Sequence, residues 1–360
     1  MRHIGLHAAR VGRRNAADIR NGVWWMEQSN EKKLTISDVA EALGVSKTTV
    51  SRAISGKGRI GKDTRARVLA YIEEHNYKPN VLAKGLAQLK TYNIGVMLPE
   101  DYTVVDLPFF QSCLIGIEET AISMDYDILL TMSRGRDCAQ LARMVENHKV
   151  DGVILMRTFL EDAHVEYLMS QGIPFVTVGS SNYEGVIQVD NDHRGACREL
   201  VSILLMKGMK QIGLIGGIET HVVTQSRLQG YLDAHAQAGI PVNEDIVYVN
   251  VEKEIMIERA VEKLLSEQVD CIACMDDAVC IHVLNKLRRE KIAVPGQIRV
   301  ASFYDSSILE NNMPSITSLS FNARELGTMA CKILMELIDG NTARQRTLLG
   351  YEVILKDSTK

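Results

Sequence analysis

The sequence has no long apolar run. Its 360 residues nowhere contain the ~18 consecutive apolar residues that indicate a membrane-spanning helix. The first 29 residues hold five arginines but lack the apolar core of about 7–15 residues found in secretory signals. We therefore expect neither export nor contact with a membrane, and we place the protein in the cytoplasm.

Disulfide pairing is not indicated either. The seven cysteines are an odd number and are scattered through apolar segments, which is typical of reduced, buried thiols rather than of a disulfide framework. Cys271 and Cys274 form a CxxC pair, but the segment Val269–Met275 is predicted to be a strand. Positions three apart in a strand face opposite sides of the sheet. This spacing therefore argues against a shared zinc ion or a redox pair.

Signatures of catalysis are also missing. The glycines of Gly213–Gly217 do not have the spacing of a dinucleotide-binding loop, no P-loop occurs, and no Ser/His/Asp or paired-carboxylate arrangement has local support. Several histidines lack metal-ligand spacing and are expected at the surface: His148, His164, His193 and His221. The sequence therefore predicts no enzyme activity, no cofactor and no metal site.

Charge is distributed unevenly along the chain. Residues 31–92 hold twelve Lys/Arg against six Asp/Glu, and residues 1–30 hold five against two. Since the net charge is −4, these surpluses of +6 and +3 leave −13 for the other 268 residues. A basic head on an acidic body indicates that the head meets a polyanion and that the body does not.

Helical periodicity begins near residue 34. Thr35 can cap a first helix, and Gly44 can end it. The apolar side chains of this helix share one face: Ile36, Val39, Ala40 and Leu43. Ser46 can cap a second helix after only a short turn. A third helix is predicted over 64–75, with three side chains inward: Val68, Leu69 and Ile72. The first two helices thus form a helix-turn-helix motif.

The second helix has one apolar and one polar side. The apolar side consists of Val45, Val50 and Ile54, and the polar side of Lys47, Thr48, Ser51, Arg52 and Ser55. A helix in the DNA major groove needs side chains that reach base edges and no carboxylate that repels phosphate. Arg52 could bind a guanine through two hydrogen bonds. A solvated face of an ordinary bundle is the alternative, but the neighbouring Lys57, Arg59, Lys62 and Arg65 favour DNA.

A very short helix follows the head. Pro79 cannot continue the third helix, and Asn80 can cap a segment, Val81–Leu89, that contains an apolar stripe. This segment, of about two helical turns, is shorter than the ~12–15 residues at which isolated helices become even marginally stable. We therefore expect this segment to be unfolded or fraying when it is alone.

The pattern changes beyond Thr91. Short apolar runs alternate with longer amphipathic stretches, which is typical of parallel sheets with helices on both faces. The predicted strands are 93–98, 127–132, 150–156, 174–178, 211–215, 269–275 and 298–303. Because this pattern is too long for one ordinary sheet, we predict an α/β body of two similar lobes. Ligands of such folds bind at the carboxyl ends of the strands.

Two segments of the head resemble the lactose/galactose repressor (LacI/GalR) family. They are LTISDVAEALGVSKTTVSRAIS at 34–55 and YKPNVLAKGL at 77–86. The resemblance covers 34–356, with body landmarks in the expected order: Val189–Asp190, Ser226–Tyr231, Asp276–Ala278, Val294–Pro295, Phe303–Asp305 and Pro314–Leu319. It implies a sequence-specific transcriptional regulator, which we expect to be a repressor, with a two-lobed body similar to periplasmic binding proteins.

The resemblance also implies how DNA is bound. In this family the hinge helix pairs with its copy from a second subunit and enters the minor groove, where a leucine wedges between base pairs. Leu86 falls at that position. We therefore expect a homodimer on a palindromic operator. The predicted DNA contacts are Thr35, Ser46, Lys47, Thr48, Thr49, Ser51, Arg52, Ser55, Arg59, Tyr77, Asn80, Lys84 and Leu86.

The family's effector contacts, carried over residue by residue, fall on Phe110, Arg157, Asp190, Arg227, Asp276 and Asp305. Asp190 and Arg227 would bind vicinal hydroxyls by charge-assisted hydrogen bonds, and Phe110 would stack on the ligand ring. Asp276 stands where the family usually has Asn, so it can only accept hydrogen bonds. This departure argues against a phosphorylated or carboxylated effector unless Arg157 compensates, and we expect a sugar.

These predictions divide the chain into four parts. They are an extension (1–30), a helix-turn-helix head (31–77), a hinge (78–91) and a domain for effector binding and dimerisation (92–360). Lobe 1 is expected over 92–190 and 318–340, and lobe 2 over 191–317 and 341–360. The extension is expected outside the fold, with Met26 as an alternative start of translation.

Two other classes of protein share parts of this organisation. A solute-binding protein of a transporter has the two-lobed body, but it would need an export signal and no basic head. A sugar-modifying enzyme on a doubly wound fold would need the catalytic signatures that the sequence lacks.

Overall fold

The computed structural model describes residues 34–56, 58–77, 85, 88–100, 108–133, 135–251 and 253–360. The chain divides into two compact units. The first, Met1–Lys84, includes the head (31–77), and the second, Gly85–Lys360, is called the body below. Several predictions concern residues outside the described ranges: the extension 1–30, Asn80, Lys84 and Leu86. The predicted roles of these residues stay predictions.

The head contains three helices around a small core. They are α1 (Ile36–Leu43), α2 (Lys47–Ser55) and α3 (Lys62–Glu74). Each helix contributes one fully buried valine: Val39, Val50 and Val68. The prediction that Leu69 points inward is wrong, since its side chain is 42% exposed. Val68 and Ile72 are one turn apart and face the core, and Leu69 is rotated away from them around the helix axis.

The start of α1 is fixed by a capping box, which confirms Thr35 as its N-cap. The backbone N–H of Asp38 donates to Thr35 Oγ1 at 3.3 Å, and the Thr35 N–H donates to the Asp38 carboxylate at 2.7 Å. Two backbone donors that the helix leaves unpaired are thereby satisfied. The cap orients α1, and through it the tight turn that leads into α2.

Replacing the capping hydroxyl should loosen the head. We expect Thr35→Ala to lower the stability of α1 by about 1 kcal/mol, because an alanine cannot accept the hydrogen bond from Asp38 N–H. Hydrogen–deuterium exchange of the full chain should show faster exchange over 36–43. Thr48→Ala removes a hydroxyl from the exposed side of α2 without touching a cap, and it should leave exchange unchanged. Equal protection in both variants would contradict the role of the cap.

The described part of the body contains two sheets of six strands each. Their order is β11-β5-β4-β3-β1-β2 in the first sheet and β12-β10-β9-β8-β6-β7 in the second. The strands are β1 (Asn93–Pro99), β2 (Asp127–Ser133), β3 (Gly152–Leu155), β4 (Phe175–Val178), β5 (Gln188–Asn191), β6 (Ile212–Ile215), β7 (Val247–Tyr248), β8 (Cys271–Cys274), β9 (Arg299–Ser302), β10 (Thr317–Ser320), β11 (Arg346–Leu349) and β12 (Glu352–Ile354). Neighbouring strands are parallel except for the antiparallel pair β10 and β12. The seven predicted strands are all present, which confirms two parallel α/β lobes.

The chain passes between the two sheets three times. The crossovers follow β5, β10 and β11. This corrects the predicted lobe boundaries, because residues 317–320 pair with β9 in the second sheet and residues 346–349 pair with β5 in the first. Both strands are short, and their sheets are set by distant partners that the local pattern does not reveal.

Helices cover the faces of both sheets. They are α4 (Pro108–Ser123), α5 (Ala139–Glu146), α6 (Ala163–Gln171), α7 (His193–Met206), α8 (Val222–Ala238), α9 (Glu254–Ser266), α10 (Asp277–Arg289), α11 (Ser307–Glu310) and α12 (Ala323–Ile338). The helices α4 and α12 pack closely in the first lobe, and α7 and α8 do so in the second. At Gly230 a Cβ would lie only 2.4 Å from the Arg194 carbonyl oxygen, so α8 can approach α7 only where it carries glycine. The family landmark Ser226–Tyr231 therefore includes a packing requirement.

The cysteines are free thiols, and all except the half-buried Cys138 are buried. Cys271 packs into the core on one face of the second sheet, and Cys274 packs into the core on the other face. The expected opposite orientation of the CxxC pair is therefore confirmed. Within the described ranges, no helix is both long and apolar enough to cross a membrane.

Candidate functional site

The head presents one polar surface on α2. Ser46 caps the helix through Thr49 N–H, and Val50 and Ala53 face the core. The opposite side chains are all exposed: Lys47, Thr48, Ser51, Arg52 and Ser55. This polar face of α2 holds two cations, three hydroxyls and no carboxylate. It is therefore suited to a polyanion with hydrogen-bonding edges.

Two glycines after α2 lie close to arginine side chains. Gly56 ends α2 in the left-handed conformation, with φ 68°, and a Cβ there would lie 3.3 Å from an Arg65 terminal nitrogen. Gly58 has φ 90°, and a Cβ there would lie 3.3 Å from Arg52 Cδ and Nε. Arg52 therefore lies along the glycine turn, which restricts where its guanidinium can reach.

Other predicted DNA contacts differ in how exposed they are. Arg59 is exposed, and Ser46 is exposed but its hydroxyl lies 2.9 Å from the half-buried Thr49 hydroxyl. Thr35 is exposed within the capping box of α1. Tyr77 is different, because its ring is buried in the head core and burial raises the pKa of its hydroxyl. The structure thus makes Tyr77 a core residue and does not bring it to the polar face of α2.

In the body, Asp190 is buried between the end of β4 and the crossover after β5. It lies inside β5. Ser180 donates its N–H and its hydroxyl to Asp190 Oδ2 at 2.8 and 2.7 Å, and Asn191 N–H donates to Oδ1 at 2.8 Å. Burial raises the pKa of Asp190, and these hydrogen bonds oppose that effect. The carboxylate is therefore held rigidly in place.

Arg227 extends from α8 towards the carboxyl end of β8. It is 9% exposed, and its Nη1 donates to the Met275 carbonyl oxygen. Its Nε is buried, and no described residue accepts a hydrogen bond from it. A buried guanidinium with an unused donor is a costly feature in a fold. Its position at the carboxyl ends of the strands suggests a ligand-binding role for this donor.

Three aspartates lie near the ends of β8 and β9, and two of them were predicted as effector contacts. Asp276 caps α10, accepting a hydrogen bond from Val279 N–H at 2.8 Å. Asp305 is paired with Lys356, whose Nζ lies 3.1 and 3.2 Å from its two carboxylate oxygens. This ion pair occupies part of the acceptor capacity of Asp305, and its role as an effector contact stays a prediction. Asp277 was not among the predicted contacts, and it is 2% exposed and directly follows the cap.

The stability of the body should depend on the protonation of Asp277. Burial, and to a lesser degree Asp276, raises the pKa of Asp277 to about 6. Between pH ~4 and ~6 the folded chain keeps a proton that an unfolded aspartate, with a pKa near 3.9, releases. This carboxyl therefore makes the free energy of unfolding fall as the pH rises through that window. The resulting loss in the free energy of unfolding is complete above pH ~6 and is on the order of 2–3 kcal/mol.

Asp277→Asn should remove this pH dependence and raise the free energy of unfolding at pH 7. The measurement is denaturant unfolding of wild type and variant at pH 4.5 and pH 7, compared as a difference so that other titrating groups cancel. Asp245→Asn, at an exposed carboxyl, is the control and should follow wild type. A constant difference between wild type and Asp277→Asn at both pH values would contradict the assignment.

The aromatic residues at the start of α4 divide between the two lobes. Phe110 was predicted to stack on the effector, but it is buried in the core of the first lobe and the Arg157 guanidinium lies 5.5 Å from its ring centroid. Phe109 packs against the cores of both lobes, and its ring lies 5.9 Å from that of Tyr304, which follows β9. The structure therefore places Phe109, not Phe110, between the lobes.

Backbone contacts also connect the lobes. Leu160 N–H donates to the Thr220 carbonyl at 2.9 Å, and Val222 N–H donates to the Thr158 carbonyl at 3.3 Å. Segments 158–160 and 220–222 thus meet across the space at the carboxyl ends of the two sheets. A ligand held there would contact both lobes, so that its binding is linked to their relative position.

Two histidines expected at the surface are buried. His164 is 3% exposed and packs beside Asp162, and His193 is 5% exposed beside Asp190 and Phe321. The surface prediction is therefore wrong for both. Among the residues that the structure describes, no group of His, Cys, Asp and Glu side chains is arranged to hold a metal ion.

A helix-turn-helix with an exposed cationic and hydroxyl-bearing face, in one chain with two parallel α/β lobes, defines a class of DNA-binding, ligand-responsive regulators. Comparison with known families agrees with this class. Residues 35–80 match the family model for bacterial regulatory proteins of the lacI family, and residues 201–359 match a periplasmic binding protein-like domain.

The chain is also similar to characterised regulators along nearly its whole length. The HTH-type transcriptional regulator MalR of Streptococcus pneumoniae serotype 4 is 31% identical over 337 residues, covering 90% of this chain and 99% of MalR. Catabolite control protein A of Priestia megaterium is 29% identical over 336 residues, covering 91% and 99% of the two chains. The chain therefore belongs to the LacI family, and it is a DNA-binding transcriptional regulator.

Solved structures show the same fold. The transcriptional regulator CelR in complex with cellobiose has a TM-score of 0.69 at 26% identity, covering 90% of this chain and 99% of that one. The lac repressor dimer bound to operator has a TM-score of 0.75 at 22% identity, covering 91% and 99%. The second likeness, at this low identity, concerns the fold alone.

Proposed function

We propose that the protein is a cytoplasmic repressor that binds a palindromic operator as a homodimer. Its affinity for the operator falls or rises when a sugar binds between its lobes. The observation that carries the DNA part of this proposal is the polar face of α2, which holds cations and hydroxyls and no carboxylate. Relatives that match over nearly their whole length are named transcriptional regulators, which supports regulation rather than catalysis.

The proposed DNA contacts follow from exposure on this helix and beside it. Lys47 and Thr48 lie in its first turn and would enter the major groove first, and Arg52 would bind guanine. Ser51, Ser55 and Arg59 would contact bases or phosphates. Thr35, Ser46 and Thr49 would contact the DNA backbone, because the capped starts of helices commonly bind phosphate. The hinge residues Asn80, Lys84 and Leu86 remain proposals from the family resemblance.

A sugar effector is supported by the chemistry at the carboxyl ends of the strands. Asp190 and Arg227 are both buried there, and a carboxylate with a guanidinium can bind vicinal hydroxyls. CelR was solved with cellobiose, and a neighbour at 21% identity is described as a probable maltose operon repressor. We therefore propose a neutral sugar held by Asp190 and Arg227, with Arg157 and Asp276 at the edge of the site.

We also propose a division of labour along the chain. The head over 31–77 would bind DNA, the hinge over 78–91 would couple the parts, and the domain over 92–360 would bind the effector and dimerise. Support comes from the division of the chain into compact units at 84/85, inside the proposed hinge.

The function is tested by selecting operators from random DNA with the purified full chain. A pool of random duplexes, carried through repeated binding and amplification, should be enriched for a palindrome of two half-sites. Binding to the enriched sequence should exceed binding to a scrambled duplex of the same composition by about a thousandfold or more. Enrichment of no sequence, or of a single asymmetric site, would contradict a dimeric, sequence-specific regulator.

A further inference from the structure

The first crossover between the lobes places a buried histidine beside the proposed effector site. The chain leaves β5 at Asn191, Asp192 caps α7 by accepting from Gly195 N–H at 2.9 Å, and His193 is the first residue of that helix. The His193 ring lies 4.8 Å from the ring of Phe321, which stands at the second crossover. His193 is therefore held between two of the segments that connect the lobes.

One ring nitrogen of His193 has a neighbour and the other does not. Nε2 lies 3.5 Å from Asp190 Oδ1, whereas Nδ1 is buried and no described residue forms a hydrogen bond with it. A proton on Nε2, directed at the carboxylate, leaves a lone pair on Nδ1. Burial and the nearby Arg227 cation both lower the pKa of His193, which favours this neutral form.

Arg227 supplies the complementary group. Its charge acts on His193, and its Nε–H is buried without an acceptor among the described residues. An acceptor and a donor without partners among the described residues therefore lie on the closely packed helices α7 and α8. Native folds rarely leave such buried groups unpaired unless a ligand or water completes them.

We propose that His193 Nδ1 and Arg227 Nε form a hydroxyl-binding subsite at the first crossover, in which one ligand hydroxyl donates to His193 and accepts from Arg227. This subsite rests on the proposed function, that an effector binds between the lobes, and it adds His193 as a residue that determines which effector is accepted. A hydroxyl satisfies both groups at once. A carboxylate or phosphate oxygen carries no proton for Nδ1, so it would face the histidine lone pair.

The subsite predicts selectivity for neutral polyols and a particular hydroxyl. Binding of glucose, maltose, cellobiose and other neutral mono- and disaccharides to the full chain is measured by calorimetry, followed by the monodeoxy analogues of a sugar that binds. One of the monodeoxy analogues should bind wild type about tenfold more weakly than the parent sugar, because it lacks one hydrogen bond to a buried partner. Glucuronate and glucose 6-phosphate should bind more weakly than glucose.

Variants of His193 separate binding from folding. His193→Phe should weaken binding of the parent sugar about tenfold. The sensitive deoxy analogue should bind this variant as well as the parent sugar does, since the substitution and the loss of the sugar hydroxyl remove the same hydrogen bond. His193→Asn retains a side-chain acceptor and should recover part of the affinity. His235→Phe is the matched control, because His235 is buried in the same lobe but its Nδ1 pairs with the Tyr231 carbonyl. It should bind sugar like wild type.

The outcomes distinguish this subsite from the proposed function. If wild type and His193→Phe bind the sugar and every deoxy analogue equally, the subsite is wrong and the sugar-binding function stands. Tighter binding of the anionic sugars than of the neutral ones would independently contradict the assignment of a ligand hydroxyl to this subsite. If no neutral saccharide binds wild type, both the proposed effector class and the subsite are overturned.

Discussion

Arg52→Ala should lower the affinity for the selected operator by about tenfold to a hundredfold, the range expected for one bidentate arginine–guanine contact. The same variant should bind scrambled DNA almost as well as wild type, so that specificity falls together with affinity. The reason is the position of Arg52 on the polar face of α2, where its side chain lies along the Gly58 turn. Fluorescence anisotropy with both duplexes at one fixed salt concentration measures the two affinities.

A charge-matched control separates base recognition from simple electrostatics. Arg67→Ala removes the same charge from the head, but Arg67 is on α3 and donates to the Leu43 carbonyl at the end of α1. It should weaken operator and scrambled DNA to a similar, smaller extent. If Arg67→Ala and Arg52→Ala reduce operator affinity equally, α2 is not the reading helix.

Arg227→Met should reduce sugar affinity by about tenfold to a hundredfold, because hydrogen bonds to a charged group contribute roughly 1.5–3 kcal/mol. Methionine keeps much of the buried volume and loses every donor. Operator binding without sugar should remain, since the proposed DNA contacts that the structure describes belong to the start of α1, to α2 and to the segment after α2. The result would be a protein that binds its operator and no longer responds to the effector.

Two further variants sharpen this prediction. Arg227→Lys should also bind sugar poorly, because an ammonium cannot both donate to the Met275 carbonyl and reproduce the guanidinium fork. Arg198→Met, at an exposed position on α7, should bind sugar like wild type. Thermal unfolding checks that all three variants are folded. Normal sugar affinity in folded Arg227→Met would contradict the proposed site.

The head could be predicted closely because its signals are local. Capping residues, the short turn at Gly44 and the two-sided character of α2 are all present within about twenty residues of sequence. The strands of the body were also predictable from short apolar runs. Two residues of the head are exceptions. Leu69 is apolar but exposed on α3, and Tyr77 was predicted to contact DNA but is buried in the head core.

The proposed effector site was predictable in part. Asp190 and Arg227 follow from the family resemblance, and the structure buries both. The surroundings of the other predicted contacts are set by segments that are distant in sequence. Lys356, for example, forms an ion pair with Asp305, which is 51 residues away in sequence. Of the adjacent Asp276 and Asp277, the first caps α10 and the second turns inward, a choice that the sequence does not reveal.

His193 was missed for a similar reason. It lies in the polar stretch Asp190–Arg194, which is typical of an exposed loop, and only the crossing of the chain between two sheets buries it. Phe109 and Phe110 were equally indistinguishable, because adjacent aromatic residues at a helix start point in different directions. Long-range topology therefore decides which polar and aromatic residues reach the ligand.

We propose that sugar binding in the body controls operator binding by the head. The decisive measurement is the operator Kd of the full chain with and without saturating sugar, together with the sugar Kd with and without saturating operator. Each ligand should change the affinity for the other by the same factor, about fivefold or more. An operator Kd that is the same at zero and saturating sugar, in a chain that demonstrably binds both ligands, would contradict it.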